Sequence, residues 1–458
     1  MFILLLSSLL VASMSLRPAA ANPNILYVPS QYLTIYDALA HALSGDTIMV
    51  SSGVYNETNL VITQDRLTLQ GQDKTNTIID GQNSNKNITV VKANNVIIRG
   101  FTIRNAGNQY AAFGVYLYRS NNTLLKDNTF SGCYFSIRAE KSTNVTVSSS
   151  SFLGDTGLGG TGVYALSSQT GLIINNTFTA DHVGVYLING STSFTIRNNT
   201  FSSSIFLGVN VAASSQNWVV KNTFRDNNSS VEMKNNGNNN TVVGNAILNS
   251  QTAGLIISSR NNVIHHNNFI NNTQQVKFIG SPLANVWNTL NFAEGNYWSN
   301  YKGNDMDRNG IGDSPYNIAS GNIDSYPLIG PFTEFSVTYQ LTAYNIYTIS
   351  NSTITGFSFN PVAKQISFQV SDTAGTLGIC RVVFPNALFS FLNTVYVNGV
   401  SQVISQAFNT THGALYFTYT HSGQPLSVVI VPEFPAVVIV AFLLMLTLLA
   451  IILKKKRV

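Results

Sequence analysis

The feature that most constrains this chain is a recurring corner. The triplets Asn128-Thr129-Phe130, Ser150-Ser151-Phe152, Asn176-Thr177-Phe178, Asn199-Thr200-Phe201, Asn222-Thr223-Phe224, Asn245-Ala246-Ile247 and Asn267-Asn268-Phe269 end 22, 26, 23, 23, 23 and 22 residues apart. A unit of this size cannot bury an apolar face alone and must stack on its neighbours, which specifies a solenoid. One period contains Val183-Gly184-Val185-Tyr186-Leu187, Phe194-Thr195-Ile196 and Asn198-Asn199-Thr200-Phe201. Such short alternating runs are rich in β-branched and aromatic residues, and their Gly, Asn and Ser separators tolerate turns. Three strands and three bends per winding predict an all-β parallel β-helix of about ten coils, with strands about 4.8 Å apart. Inward Val, Ile and Phe would stack in columns, and inward Asn at the corners would form amide ladders.

Composition bounds the rest. Of 458 residues 44% are hydrophobic and only 10% charged, so Asn, Ser and Thr carry most of the polarity. Lys454, Lys455, Lys456 and Arg457 supply four charges of the net +5, which leaves no basic face for nucleic acid. Cys133 and Cys380 fall in different segments and read as buried thiols, not a disulfide. Residues 2–13 are apolar and are followed by Ala19-Ala20-Ala21, so residues 1–21 read as a signal peptide. Ala436 to Leu453 is long enough to span a bilayer, and the basic tail after it would lie in the cytoplasm, with the body outside the cell.

Five parts follow. After the signal peptide, residues 22–60 form an N-terminal cap with an amphipathic helix near Tyr36–Leu43, because an open solenoid end invites aggregation. Residues 61–331 form the coil array and a terminal loop. Residues 332–430 lose the period and alternate, as in Gln365 to Val370 and Ala414 to Thr420, which predicts a small antiparallel sandwich acting as a membrane-proximal stalk. Residues 431–458 form the anchor.

Two resemblances follow from particular motifs. Asp46-Thr47-Ile48, Leu67-Thr68-Leu69-Gln70-Gly71, Thr77-Ile78-Ile79-Asp80-Gly81 and Val96-Ile97-Ile98-Arg99-Gly100-Phe101-Thr102-Ile103 resemble the opening coils of NosD-like β-helix proteins, and the likeness extends through Asn296-Tyr297-Trp298. It implies a right-handed helix of the pectate-lyase-like type, a fold shared by lyases, hydrolases, copper-maturation proteins and archaeal surface proteins, so it leaves function open. Pro432-Glu433-Phe434-Pro435, the apolar span and the basic tail are similar to the PEF-CTERM sorting signal of archaeal surface proteins. That similarity implies an archaeosortase as a processing partner and lipid attachment as an alternative anchor.

Asp305-Met306-Asp307-Arg308-Asn309-Gly310-Ile311-Gly312-Asp313 is the most specific chemical motif. Oxygens at alternate positions converge in a tight loop, with Gly310 at the turn and the Ile311 carbonyl as a further donor, a pattern that suits Ca²⁺. Tyr316 stands at the twelfth position in place of a bidentate Glu, so Asp324 or water must complete the shell. The reading is a structural calcium clamp, and the alternative is an acidic surface loop.

Alternation also predicts an outward row. If Val115, Ile137, Val163, Val185, Val209, Val231 and Leu255 point inward, then Tyr116, Arg138, Tyr164, Tyr186, Asn210, Glu232 and Ile256 point outward in one column. Aromatic faces interspersed with polar groups suit an extended glycan; the plainer reading is stacking for sheet stability. Catalysis has thinner support: Arg138, Glu140, Asp155, Asp181, His182 and Glu232 are scattered, and Asp181-His182 is the best acid-base pair, although strand neighbours face opposite ways. His41, His182, His265, His266, His412 and His421 read as isolated, and Met233 and Met306 form no soft-ligand cluster for copper. Thirteen Asn-x-Ser/Thr sequons run from Asn56 to Asn409, some of them expected at ladder positions with inaccessible amides. The chain therefore reads as an exported, membrane-tethered β-helix presenting a surface for a glycan or cell-envelope polymer. The alternatives are a polysaccharide lyase or hydrolase and a NosD-like copper maturation factor.

Overall fold

The structure, a computed structural model, describes residues 23–154, 160–289, 292–389 and 393–432. The expected signal peptide, the sorting motif beyond Pro432, the membrane-spanning segment and Asp155 lie outside the described residues. Among the described residues no helix is long and apolar enough to cross a membrane.

Alternation sends Val115, Ile137, Val163, Val185, Val209, Val231 and Leu255 into the interior, each at most 2% exposed. The short runs stack in parallel as three long sheets of eleven, ten and eleven strands. Parallel crossovers of this kind are right-handed, and the result is a right-handed β-solenoid of about eleven windings. That is one more than the period alone predicts, because Ile25–Val28 and Thr47–Val50 already open the first sheet. The helix Ile35–His41 is set between those two strands and buries Ile35, Ala38 and Leu39. Thr34 Oγ1 caps it by accepting the Asp37 amide at 3.0 Å.

Two inward features hold successive windings in register. Phe130, Phe152, Phe178, Phe201 and Phe224 stack with centroids 4.5–5.1 Å apart and planes within 8°. Glycine is needed beside this column: a Cβ on Gly184 would lie 2.6 Å from the Phe201 ring. At the adjoining corner Asn176, Asn199, Asn222, Asn245, Asn267 and Asn296 form a buried ladder. Each rung's backbone amide donates to the next rung's Oδ1 at 2.9–3.1 Å. Each Nδ2 also donates to a strand carbonyl, as from Asn222 to Ile196 O at 2.8 Å. A second ladder runs through Asn217, Asn240, Asn262 and Asn285.

Both ladders end on one hairpin, Tyr316–Ala319 with Asn322–Asp324. Asn322 Oδ1 accepts from the Asn285 amide at 3.1 Å and the Trp287 indole at 3.0 Å. Asp324 Oδ2 accepts from the Asn296 amide and the Trp298 indole, both at 2.8 Å. The ring column continues from Phe269 to Trp298 at 4.4 Å and to Tyr316 at 4.6 Å, so the hairpin closes core and ladders together.

Two five-stranded antiparallel sheets follow and enclose a second core that includes Phe368, Phe384 and Phe417. Gln365–Ser371 and His412–Thr420 are among their strands. Cys133 and Cys380 are buried free thiols, one in each body. Glu294 joins the two bodies. It is fully buried and accepts from Tyr347 Oη at 2.7 Å and Arg381 Nε at 3.0 Å, with His266 Nε2 at 2.9 Å. Arg381 Nη1 also donates to Asn309 O at 2.6 Å.

Candidate functional site

The ten-stranded sheet, called here the middle sheet, carries the outward row. Its register aligns Tyr116 with Arg138, Arg138 with Tyr164, Tyr164 with Tyr186, Tyr186 with Asn210, Asn210 with Glu232, and Glu232 with Ile256. Six intervals give a track about 29 Å long. Most of the row is nevertheless covered: Tyr164 is 7% exposed, Asn210 2%, Glu232 4% and Ile256 8%. Facing outward here means lying beneath neighbouring side chains, which corrects the expectation of an open ledge.

The cover comes partly from residues that strand alternation does not reveal. Gly114 points inward, since a Cβ there would meet the Phe130 ring at 3.3 Å and Cys133 Sγ at 3.4 Å. The parity of the strand Phe113–Tyr118 therefore breaks, and Phe113 turns outward. Phe113, Phe135 and Tyr164 form a cluster of their own, with Tyr116, Tyr134 and Tyr186 packed on it. Arg138 lies in their midst, its guanidinium 5.1–5.8 Å from the rings of Tyr110, Phe113, Tyr116 and Tyr164. Its Nη2 donates to Glu140 Oε2 at 2.8 Å, and Tyr116 Oη donates to the same oxygen at 3.0 Å.

Burial pushes the Tyr116 phenol up to about 12, helped by Glu140, and the Tyr164 phenol up to about 12, helped by Tyr110. The Tyr186 phenol is also raised, chiefly by burial. At neutral pH all three remain protonated and able to donate. Further along, Lys234 Nζ sits 2.7 Å from Glu232 Oε2, a charge contact without hydrogen-bond alignment. The buried atoms Asn210 Oδ1 and Arg138 Nε have no hydrogen-bond partner among the described residues. The face thus combines aromatic area, phenol donors and unfilled polar capacity. Of the residues that complete it, Lys234 was available from its spacing, two residues past Glu232 on the same face; Tyr110, on a loop, carried no signal.

The other candidates fall elsewhere. Asp181 is 2% exposed at the corner before Val183–Ile188, where burial pushes its carboxyl well above the usual range. Asp181 Oδ2 has no partner among the described residues, and the His182 ring stacks on Phe206 at 5.4 Å. The two therefore do not form an acid-base dyad. His265 and His266 are not isolated, since their Nδ1 atoms lie 3.0 Å apart beside Glu294. His421 is buried between Ser352 and Thr376. Asn227, one of the sequon asparagines, is fully buried in a corner.

In the terminal loop, Asp305 accepts from the amides of Asn309 at 2.9 Å and Gly310 at 3.0 Å, and Asp313 from that of Met306 at 2.7 Å. Asn309 Nδ2 donates to Asp307 Oδ2 at 2.7 Å, and the buried Ile311 follows the turn. The Asp307 carboxyl is raised by burial and by Asp305 and Asp313 beside it. Among the described residues no three His, Cys, Asp or Glu side chains are grouped so as to hold an ion. Asp324 is committed to the ladder end and does not complete the loop.

The family model described as periplasmic copper-binding protein (NosD) matches residues 39–239 and 159–303. Together these span residues 39–303, more than half of the chain. The chain belongs to the NosD family. No curated protein matches it. Among solved structures, this NosD-family chain is similar to an alginate lyase from Paenibacillus sp. at 13% identity, covering 57% of this chain and 99% of that one, with a TM-score of 0.43. It is similar to the Dettilon tailspike protein at 13% identity, covering 89% and 94%, with a TM-score of 0.47. A polygalacturonase from Erwinia carotovora ssp. carotovora gives 11% identity, coverage of 57% and 93%, and a TM-score of 0.44. All three are too distant to inform the chemistry of this chain.

Proposed function

We propose that this NosD-family protein is exported, tethered at the cell surface, and binds an extended glycan or cell-envelope polymer along the middle sheet. The observation that carries the reading is the in-register row Tyr116, Arg138, Tyr164, Tyr186, Asn210 and Glu232. The half-buried rings of Tyr116 and Tyr186 can pack on sugar C–H surfaces, while Lys234 further along the face can donate to sugar hydroxyls. The test is affinity electrophoresis through gels containing neutral and uronate polysaccharides. The wild type is retarded by at least one polymer, and Tyr164→Ala/Tyr186→Ala migrates freely; equal retardation of both proteins overturns the reading.

Paired-carboxylate hydrolysis finds little support on this face. Glu140 and Glu232 are separated by four windings, about 19 Å, whereas glycosidase carboxyl pairs stand about 5–10 Å apart. The copper in the family's description is also poorly matched by the donors present. Met233 is in the core, Met306 is 80% exposed, and Cys133 and Cys380 are buried in separate bodies. His266 is already engaged by Glu294.

Calcium remains our proposal for Asp305, Asp307, Asn309, Ile311 and Asp313. The like charges around Asp307 support it, since a cation there would relieve them. Binding would require the carboxylates to turn from their present amide partners toward a common point.

A further inference from the structure

A second site lies at the C-terminal end of the solenoid, away from the row. A cleft of about 490 Å³ opens between the segment Asn271 to Val276, the residues after Tyr297–Trp298, and the closing hairpin. Its volume falls within the range of about 300–1,000 Å³ usual for small-molecule sites. Of its eleven lining residues only Lys302 is charged, and side-chain amides and hydroxyls predominate. The cleft has no carboxylate to neutralise a cation and carries the positive Lys302, and its largely polar lining is a poor match for an apolar ligand.

The wall is organised in advance. Asn272 Nδ2 donates to Gln275 Oε1 at 2.9 Å, and Gln275 Nε2 donates to Ser299 Oγ at 3.2 Å and Asn300 Oδ1 at 3.3 Å. Tyr316 Oη donates to Asn300 Oδ1 at 3.1 Å. The Tyr316 ring is braced from behind by Trp298, with planes 14° apart, so it offers the cleft a fixed aromatic surface. A rigid ring beside fixed amides, with Lys302 and Gln274 as adjustable polar groups, is the combination that recognises a polyhydroxylated ring. The C–H face of such a ring stacks while its hydroxyls replace water.

We propose that this cleft binds a neutral, hydroxyl-rich pyranose unit, independently of the row on the middle sheet. The test is saturation-transfer NMR on the whole protein with maltotriose, cellotriose, chitotriose and trigalacturonate. At least one neutral trisaccharide receives saturation from the wild type and still receives it from Tyr164→Ala/Tyr186→Ala, in which any contribution from the row is removed. Binding falls about tenfold in Tyr316→Ala, as expected for a lost aromatic contact. Gln274→Arg, a change at an exposed position that crowds the cleft without touching the core, weakens it as well. The proposal is overturned if no neutral trisaccharide binds, if only trigalacturonate binds, if both cleft variants bind normally, or if the row variant abolishes binding.

Discussion

Asp324 ends the longer ladder with a carboxyl that burial pushes up to about 6, against hydrogen bonds from Asn296, Trp298 and Tyr326 that favour its charge. The folded protein therefore holds a proton there that the unfolded chain has released, and ionisation costs stability as pH rises from about 4 to about 6. A shift of about two units corresponds to about 3 kcal/mol. Urea unfolding from pH 4 to pH 7 should show this decline in the wild type and a flatter profile in Asp324→Asn; equal slopes in the two proteins would contradict the assignment. Within the ladder, Asn222→Ala strands the Asn199 amide donors and the Ile196 carbonyl. Each unsatisfied buried group costs about 1–3 kcal/mol, so a loss of about 3 kcal/mol or more is expected in the same experiment.

At the scale of elements, the periodic parts were open to reading from the chain and the aperiodic ones were not. Windings, ladders and the alignment of Tyr164 with Tyr186 all follow from a repeat that returns each residue type to the same corner. The covering of the row depends on Gly114 breaking strand parity and on Tyr110 arriving from a loop. The closing hairpin departs from the period, so Asn322 and Asp324 gave no sign that they would end the ladders, and Tyr316 looked like a loop position when it is the last ring of the core stack. Calcium belongs to this scale as well. If the loop at Asp305 binds it, saturation at a hundredfold excess over Kd adds about 2.7 kcal/mol, seen as a higher melting temperature reversed by chelator. A melting curve unchanged by either treatment removes calcium from the account.

For the whole molecule, the Glu294 joint couples the two bodies together with the Lys221–Glu334 ion pair and the hydrogen bonds of Asn268 to the Phe332 backbone. Arg381→Met leaves a buried carboxylate short of its cationic partner, a change of the kind that costs about 3–5 kcal/mol. Calorimetry should then resolve the solenoid and the sandwich as two transitions where the wild type shows closer coupling, and a single unshifted transition would show that the joint is idle. The seam was invisible beforehand because His266, Glu294 and Arg381 are distant in the chain and belong to no motif. Glycan binding rests instead on the in-register row along the middle sheet, about 29 Å from Tyr116 to Ile256. Its most direct test is calorimetric titration with oligosaccharides of increasing length from whichever polymer retards the protein. Affinity that climbs with each added sugar until the ligand spans the track, then levels off, is the predicted result; affinity independent of length would contradict it.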